Sequence, residues 1–449
     1  MVKKFWVTTA TVFLAAVLAL TGCNSGTQEG AAGAGGNDSA KTSEPKKAEP
    51  VTLKVYVTTD TNLTDEEVQK YVVNSTKEAY PNITLQVEKS SGKSVPDAVQ
   101  ERLAAGDFPD VLVTTLNVLD FEKSLQIPAD LNPLLKAQNI DLAKFDPVAI
   151  NYLKSVGDQK QLDALPLYLN YSVLFYNKAI FDKFGIGYPK DGMTWDDAIT
   201  LAKKLTRNDG GVQYYGLHPG NILNLGYMLS QPLVNPKSNV ATLDTDGWKK
   251  SFGLLKEVFD IPGNRPEQKD FGNGRNMFLK DRNLAMLADW GNGLLGQARQ
   301  LNDGGGNWDM VTIPNVAGRT GIGRNVDFHI VMVSSQSKHK PEATQVLSVL
   351  TSKDVQSKMN KDGRYTSLAD PELQKQFGAD LEILKGKHTA AIYNVKAADT
   401  PVPTKYDGLV KPPLNSAATN VIYKGDDINT ALRQADETAN QQIKTALSQ

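Results

Sequence analysis

Between Val51 and Thr114 the spacing of apolar residues switches repeatedly between two and a helical period, and this alternation restricts the fold more than any other feature of the chain. Val51, Leu53, Val55 and Val57 alternate with Thr52, Lys54 and Tyr56, the period-two pattern of a strand. Val68, Tyr71, Val72 and Ala79 then fall at helical spacing, and Ile83, Leu85 and Val87 alternate again. Val95, Val99 and Leu103 mark a second helix, followed by the short apolar run Asp110-Val111-Leu112-Val113-Thr114. The order β-α-β-α-β predicts parallel strands joined by right-handed crossovers. Ligands bind such sheets off the carboxyl ends of the strands, so loops 58–62 and 114–117 are expected to face a site.

The alternation continues. Residues 174–176 read as a strand, and Thr194-Trp195-Asp196-Asp197 reads as a helix start with Thr194 as the cap and an acid at the third helical position. That helix places Trp195, Ala198, Ile199, Ala202 and Leu205 on one face. Further helices are expected over 248–259, over 341–350 with Pro341 in the first turn, and over 428–446. Mixed α and β throughout argues against an all-α or all-β fold, and no repeat of fixed period is present.

The amino-terminal region reads differently. Lys3 and Lys4 precede an apolar run over 5–20 that is short for a membrane span, and Leu20-Thr21-Gly22-Cys23 closes it. These four residues resemble a bacterial lipobox, whose cysteine is acylated and becomes the new amino terminus. Residues 1–22 are therefore expected to be a leader and Cys23 the lipidation site; the alternative is an uncleaved anchor helix with an incidental cysteine. Residues 24–50 are rich in Gly, Ala, Ser, Glu, Lys and Pro and read as a flexible tether, with an r.m.s. span of about 30 Å. After Cys23 no apolar run is long enough to span a bilayer. Cys23 is the only cysteine, so no disulfide supports the fold. The 49 Lys and Arg against 50 Asp and Glu leave no net field to draw in nucleic acid, and none is expected as a partner.

Several segments together resemble the extracellular solute-binding proteins of carbohydrate ABC importers, the maltose-binding-protein-like group. They are Ala164-Leu165-Pro166, Leu174-Phe175-Tyr176-Asn177-Lys178-Ala179-Ile180-Phe181 with Gly185, and Thr194-Trp195-Asp196-Asp197. Arg275-Asn276-Met277-Phe278, Ala285-Met286-Leu287-Ala288-Asp289-Trp290 and Trp308-Asp309-Met310-Val311-Thr312-Ile313-Pro314 continue the match in order. Lys340-Pro341-Glu342-Ala343 and the closing helix from Ala431 to Asn440 complete it. The resemblance implies a two-lobed α/β, periplasmic-binding-protein-like fold with a hinge and an interlobe ligand cleft. It puts lobe 1 at 51–168 and 318–368, and lobe 2 at 169–317 and 369–449.

A sugar presents C–H faces that pack on aromatic rings and hydroxyls that need donors and acceptors. Asp289-Trp290-Gly291-Asn292 holds that mixture, and the resemblance puts Trp290 on the stacking tryptophan and Asp289 beside it as a hydroxyl acceptor. Half-buried core is the other reading of Trp290. Asn170 and Tyr171 fall where the first crossing of such a fold enters the cleft, though a tyrosine there equally suits the interlobe core. Asp327 falls at the second crossing, either as a ligand contact or paired with Arg324. Asp60, Asn62, Thr115 and Asn117 are loop candidates whose types also serve turns, and Tyr406 falls near a late aromatic of the group. Two departures point to a mono- or short oligosaccharide: Thr114 and Thr115 stand where the group often has an aromatic, and Gly157-Asp158-Gln159-Lys160 keeps little of its usual lead into the Leu-Pro pair.

Catalysis finds no support in the spacing. His218, His329, His339 and His388 are scattered, no Gly-x-Ser-x-Gly elbow is present, and the glycine-rich runs 304–306 and 318–323 lack the Lys-Ser/Thr ending of a phosphate loop. No enzyme activity, metal or cofactor is expected. The expected function is a monomeric receptor, lipid-anchored at Cys23 on the outer face of the cell membrane, that closes on a carbohydrate and delivers it to the transmembrane subunits of an ABC permease. An exported carbohydrate-active enzyme and a receptor for another polar solute are the alternatives. Replacing Cys23 with alanine is expected to abolish fatty-acid labelling and to release the protein from the membrane fraction; labelling that persists in the variant removes the anchor.

Overall fold

A computed structural model describes residues 49–448 apart from 91–93 and 158–160. The leader, Cys23 and all but the last two residues of the tether lie outside the described residues, as do Asp158 to Lys160. Among the described residues the first element is the strand Val51–Val57, and the expected β-α-β-α-β order follows: a helix from Asp65 to Ala79 that widens into a π-helical stretch over Val68–Asn74, strand Ile83–Lys89, helix Val95–Ala105 and strand Val111–Thr115. Strand 51–57 pairs in parallel with both others.

Two five-stranded sheets each organise one lobe. The first runs Ile83–Lys89, Val51–Val57, Val111–Thr115, Phe328–Val333, Leu165–Leu169, the last two strands being antiparallel to each other. The second runs Trp308–Thr312, Ser172–Asn177, Leu284–Trp290, Val212–His218, Arg207–Asp209. Their cores are separate. Leu53, Val113, Leu167, Val331 and Leu347 belong to the first, while Ala202, Trp248, Phe252, Met286 and Leu432 belong to the second. A smaller aromatic cluster around Phe175, Phe278 and Trp308 covers the other face of the second sheet.

The chain changes sheet through links of two residues. Asn170 and Tyr171 join strand 165–169 to strand 172–177, and Val326 and Asp327 join strand Ile322–Asn325 to strand 328–333. Strand 322–325 pairs in parallel with Lys396–Ala398 and with neither main sheet.

In each lobe a buried amide ties a helix end to a strand. In the second, Asn264 is 1 % exposed; its Nδ2 donates to the carbonyls of Leu217 and Val258, each at 2.9 Å, and its Oδ1 accepts from Gly216 N at 2.7 Å. In the first, fully buried Gln356 donates to the carbonyls of Leu167 and Leu350 and accepts from Thr366 Oγ1 and Ser367 N. Glu67 holds Arg364 within the first lobe through two contacts at 3.1 and 2.7 Å and, across the lobes, Arg299 from the end of helix Gly291–Ala298 at 2.8 Å. These bonds, chiefly that to Arg364, outweigh burial and hold the Glu67 carboxyl down to about 2.

The expected start of helix Trp195–Leu205 is present as a full capping box between Thr194 and Asp197. A buried amide leaves several groups unpaired when it is removed. Asn264→Ala is therefore expected to lower unfolding free energy by about 2–3 kcal/mol in chemical denaturation, and a loss below about 0.5 kcal/mol contradicts the clamp.

Candidate ligand-binding site

A cavity of about 370 Å³ lies between the lobes. The first lobe contributes Asn117, Asp120, Phe121 and Tyr152, from the carboxyl end of strand 111–115, helix Leu119–Ser124 and helix Pro147–Val156. The second contributes Tyr227 from helix Ile222–Met228, and Thr404, Asp407 and Lys411 from the start of helix Asp407–Tyr423. Asn325, Val326 and Asp327 of the second link form the boundary between them.

The two tyrosines belong to opposite lobes. The Tyr152 ring meets Phe328 edge-on at 6.2 Å, which seats it against the start of strand 328–333. Burial pushes both phenols above their ordinary value, and Asp407 and Asp327 add to the shift in each case. Asp407 itself accepts from Thr404 Oγ1 at 2.8 Å; burial raises its carboxyl to about 6, with Asp120 adding to the shift and Lys411 opposing it. Pro412 has no N–H to give to the carbonyl of Gly408, another lining residue, so that carbonyl lacks its helical donor from Pro412. The arrangement offers ring faces, carboxylate and carbonyl acceptors, and the amides of Asn117 and Asn325.

Of the residues expected from sequence, Asn117 and Asp327 line this cavity. Asn170 does not. Its Nδ2 donates to Asp327 Oδ2 at 2.8 Å, and its Oδ1 accepts from Tyr171 N and Asn292 N, so the side chain binds the two links together. Asp327 is not paired with Arg324, whose Nη2 donates to the carbonyl of Ala288 at 2.9 Å. Tyr171 is 5 % exposed, edge-on to Phe377 and Tyr365, and so close to Gly291 that a Cβ there would overlap its ring. Tyr171 thus sits in the aromatic cluster on the second sheet, with its hydroxyl buried and without a hydrogen-bond partner. Tyr406 is likewise buried, in the core of the second lobe. Asn292 is 2 % exposed and donates to the carbonyl of Leu169.

In the first loop Asp60 accepts from Thr58 Oγ1 at 2.5 Å and from Thr115 Oγ1 at 2.9 Å, tying together the ends of two neighbouring strands. Asn62 is in the left-handed region at φ 56° and donates to the carbonyl of Asp60, the work of a turn residue. Trp290 is half-buried and does not line the interlobe cavity; its Nε1 donates to Asn224 Oδ1 at 3.2 Å and the Arg324 guanidinium lies 5.4 Å from its ring centre. Asp289 forms a two-point ion pair with Arg275, at 2.5 and 3.1 Å, and lines a different, wholly second-lobe cavity.

Tyr152, Tyr227, Asp120 and Asp407 were not singled out by sequence. Both tyrosines sit on helices whose cavity-facing positions look like ordinary partly buried ones. Asp407 opens a helix that contains Pro412 and Pro413, a dipeptide that reads as a break. Among the described residues no group of His, Cys, Asp or Glu is arranged to hold a metal ion.

Solved structures share this architecture. An ABC substrate-binding protein from Listeria monocytogenes, in complex with cycloalternan, superposes with a TM-score of 0.72 at 16% identity, covering 88% of this chain and 100% of its own. A sugar transporter from Rhizobium etli in an open conformation gives 0.69 at 19% identity, covering 87% and 99%. An ABC transporter solute-binding protein from Thermotoga lettingae, bound with α-D-tagatose, gives 0.68 at 20% identity, covering 87% and 99%. The fold is thus the two-lobed one expected of periplasmic-binding-protein-like chains. Residues 59–357 match the family model described as bacterial extracellular solute-binding protein, so two lobes, a cavity between them and a sequence match over most of the chain agree: this chain belongs to that family of binding proteins, not enzymes.

Proposed function

We propose that this protein is the receptor of an ABC importer for a carbohydrate. The supporting observation is the interlobe cavity, which pairs Tyr152 and Tyr227 from opposite lobes with Asp120, Asp327, Asp407, Asn117 and Asn325. Ring faces suit the C–H faces of a sugar, and carboxylates and amides suit its hydroxyls. The similar proteins that are described with cycloalternan and tagatose give the same direction.

Capture follows from how the contacts are distributed. Asn117, Asp120 and Tyr152 move with one lobe and Tyr227, Thr404 and Asp407 with the other, so a ligand makes both sets only when the lobes are together. That difference in contacts biases the hinge toward closure. Lobe boundaries near 168, 318 and 368, a monomeric receptor, lipidation at Cys23 on the outer membrane face, and delivery to permease subunits belong to the same reading. Two acyl chains at about 0.8 kcal/mol per buried CH₂ make a lasting anchor, and the tether keeps the receptor concentrated near its permease. Asp60, Asn62, Thr115, Asn170, Tyr171, Asn292 and Tyr406 act in this scheme by shaping the lobes and links, while Trp290 and Asp289 stand beside the cavity on the second lobe.

A saccharide panel read by thermal shift tests the proposal, since a ligand selective for the native state raises apparent stability. At least one saccharide is expected to raise the melting temperature, and Tyr227→Ala is expected to weaken it by about 1 kcal/mol or more. A panel without any shift refutes the carbohydrate reading.

The raised Asp407 gives an independent check on the cavity. Its native value of about 6 exceeds the ordinary 3.8, so the native state binds the extra proton between those values and loses stability as pH rises through them. The full effect is about 3 kcal/mol or less. Asp407→Asn is expected to flatten that part of the stability profile; an unchanged profile means that Asp407 is not buried beside Asp120 as described.

A further inference from the structure

The second-lobe cavity that Asp289 lines encloses about 480 Å³ at the carboxyl ends of strands 212–218 and 284–290, and no residue of the first sheet or its helices contributes to it. Amides are the commonest polar side chains in its lining. Asn221, Asn273, Asn276, Asn415 and Gln297 surround the Arg275–Asp289 pair, and Gln297 Oε1 is buried with no hydrogen-bond partner. Amides carry donors and acceptors together, the combination that hydroxyl groups require.

This cavity and the interlobe one are strung along the same elements. On helix 407–423, Asp407 and Lys411 line the first, and Asn415, Ala418 and Thr419 line the second. These positions are spaced by three and four residues and so share one helix face. From Asp407 to Thr419 that face extends about 18 Å at 1.5 Å per residue. Helix 222–228 repeats the pattern three residues apart, with Asn224 in the second cavity and Tyr227 in the first. Asn224 also accepts from Trp290 Nε1.

We propose that the ligand is an oligosaccharide laid along this face of the 407–423 helix, with one end in the interlobe cavity and the rest in the amide-lined cavity. The inference rests on the carbohydrate reading above and extends it to chain length. It also reverses the expectation from Thr114 and Thr115, because the extension lies on the second lobe and makes no use of the first-lobe strand end where those residues stand. Since only second-lobe groups line it, the added contacts form without lobe closure.

Titration calorimetry of the protein with cello-, malto- and manno-oligosaccharides of one to five units tests this. In whichever series binds, the tetrasaccharide is expected to bind about tenfold or more tighter than the disaccharide, the sum of two or more added hydrogen bonds. The double variant Asn276→Ala/Asn415→Ala is expected to lose that gain while keeping disaccharide affinity within about twofold, which also shows that it folds. Affinity that is flat with length, or a gain that survives in the double variant, overturns the extended site and leaves the carbohydrate reading standing. If no series binds, both fall together.

Discussion

The pairing of Asn170 with Asp327 is the contact on which the arrangement of the two lobes depends. Backbone and side chain both take part: Asn170 N donates to the carbonyl of Asp327 at 2.9 Å while the amide nitrogen meets its carboxylate at 2.8 Å. The remaining amide oxygen takes the N–H groups of Tyr171 and of Asn292, in the first turn of helix 291–298. One side chain thereby fixes both two-residue links and the element that follows strand 284–290. A hydrogen bond to a charged acceptor contributes about 1.5–3 kcal/mol, and leaving that acceptor unpaired costs more. Burial pushes the Asp327 carboxyl up, and the Asn170 amide pulls it back. The same bond therefore helps keep charged a carboxylate that borders the cavity.

Each lobe is held together by bonds of its own. Asn264 and Gln356 bind helix ends to strands inside each lobe. Glu67 adds a contact of a different kind. Its bonds to Arg364 lie within the first lobe, whereas its bond to Arg299 reaches the second. Separation of the 65–79 and 291–298 helices breaks the Glu67–Arg299 bond, together with that of Arg299 to the Asp362 carbonyl, and the carboxylate keeps its two-point partner. An ion pair that loses one of two cations costs far less than one left unpaired, so the contact resists opening without forbidding it.

How much of this the sequence discloses follows from where each signal is written. The strands and helices between Val51 and Thr115 are legible because each strand in that unit is flanked by an amphipathic helix, and Thr194 with Asp197 announces a helix start through local chemistry. Strands 165–169 and 328–333 are buried at every residue, so they carry no alternation to read. The site was less legible than the fold. Asp60, Thr115 and Asn170 have the right chemistry for a sugar but spend it on one another and on Asp327, a pairing across 55 and 157 residues of chain that spacing does not encode. Tyr152 and Tyr227 carry no local mark, and their convergence exists only once the two lobes are packed.

The charge of the cavity narrows what it can hold. Asp120, Asp327 and Asp407 face it from both lobes and from the link, against Lys405 and Lys411 from one end. Burial already raises Asp327 and Asp407, so the cavity holds negative charge at a cost. An anionic solute would add to that charge and would have to bind among carboxylates that offer no hydrogen to donate. A neutral polyol does the opposite. Its hydroxyls donate to each carboxylate and stabilise the ionised form, the compensation a buried acceptor requires.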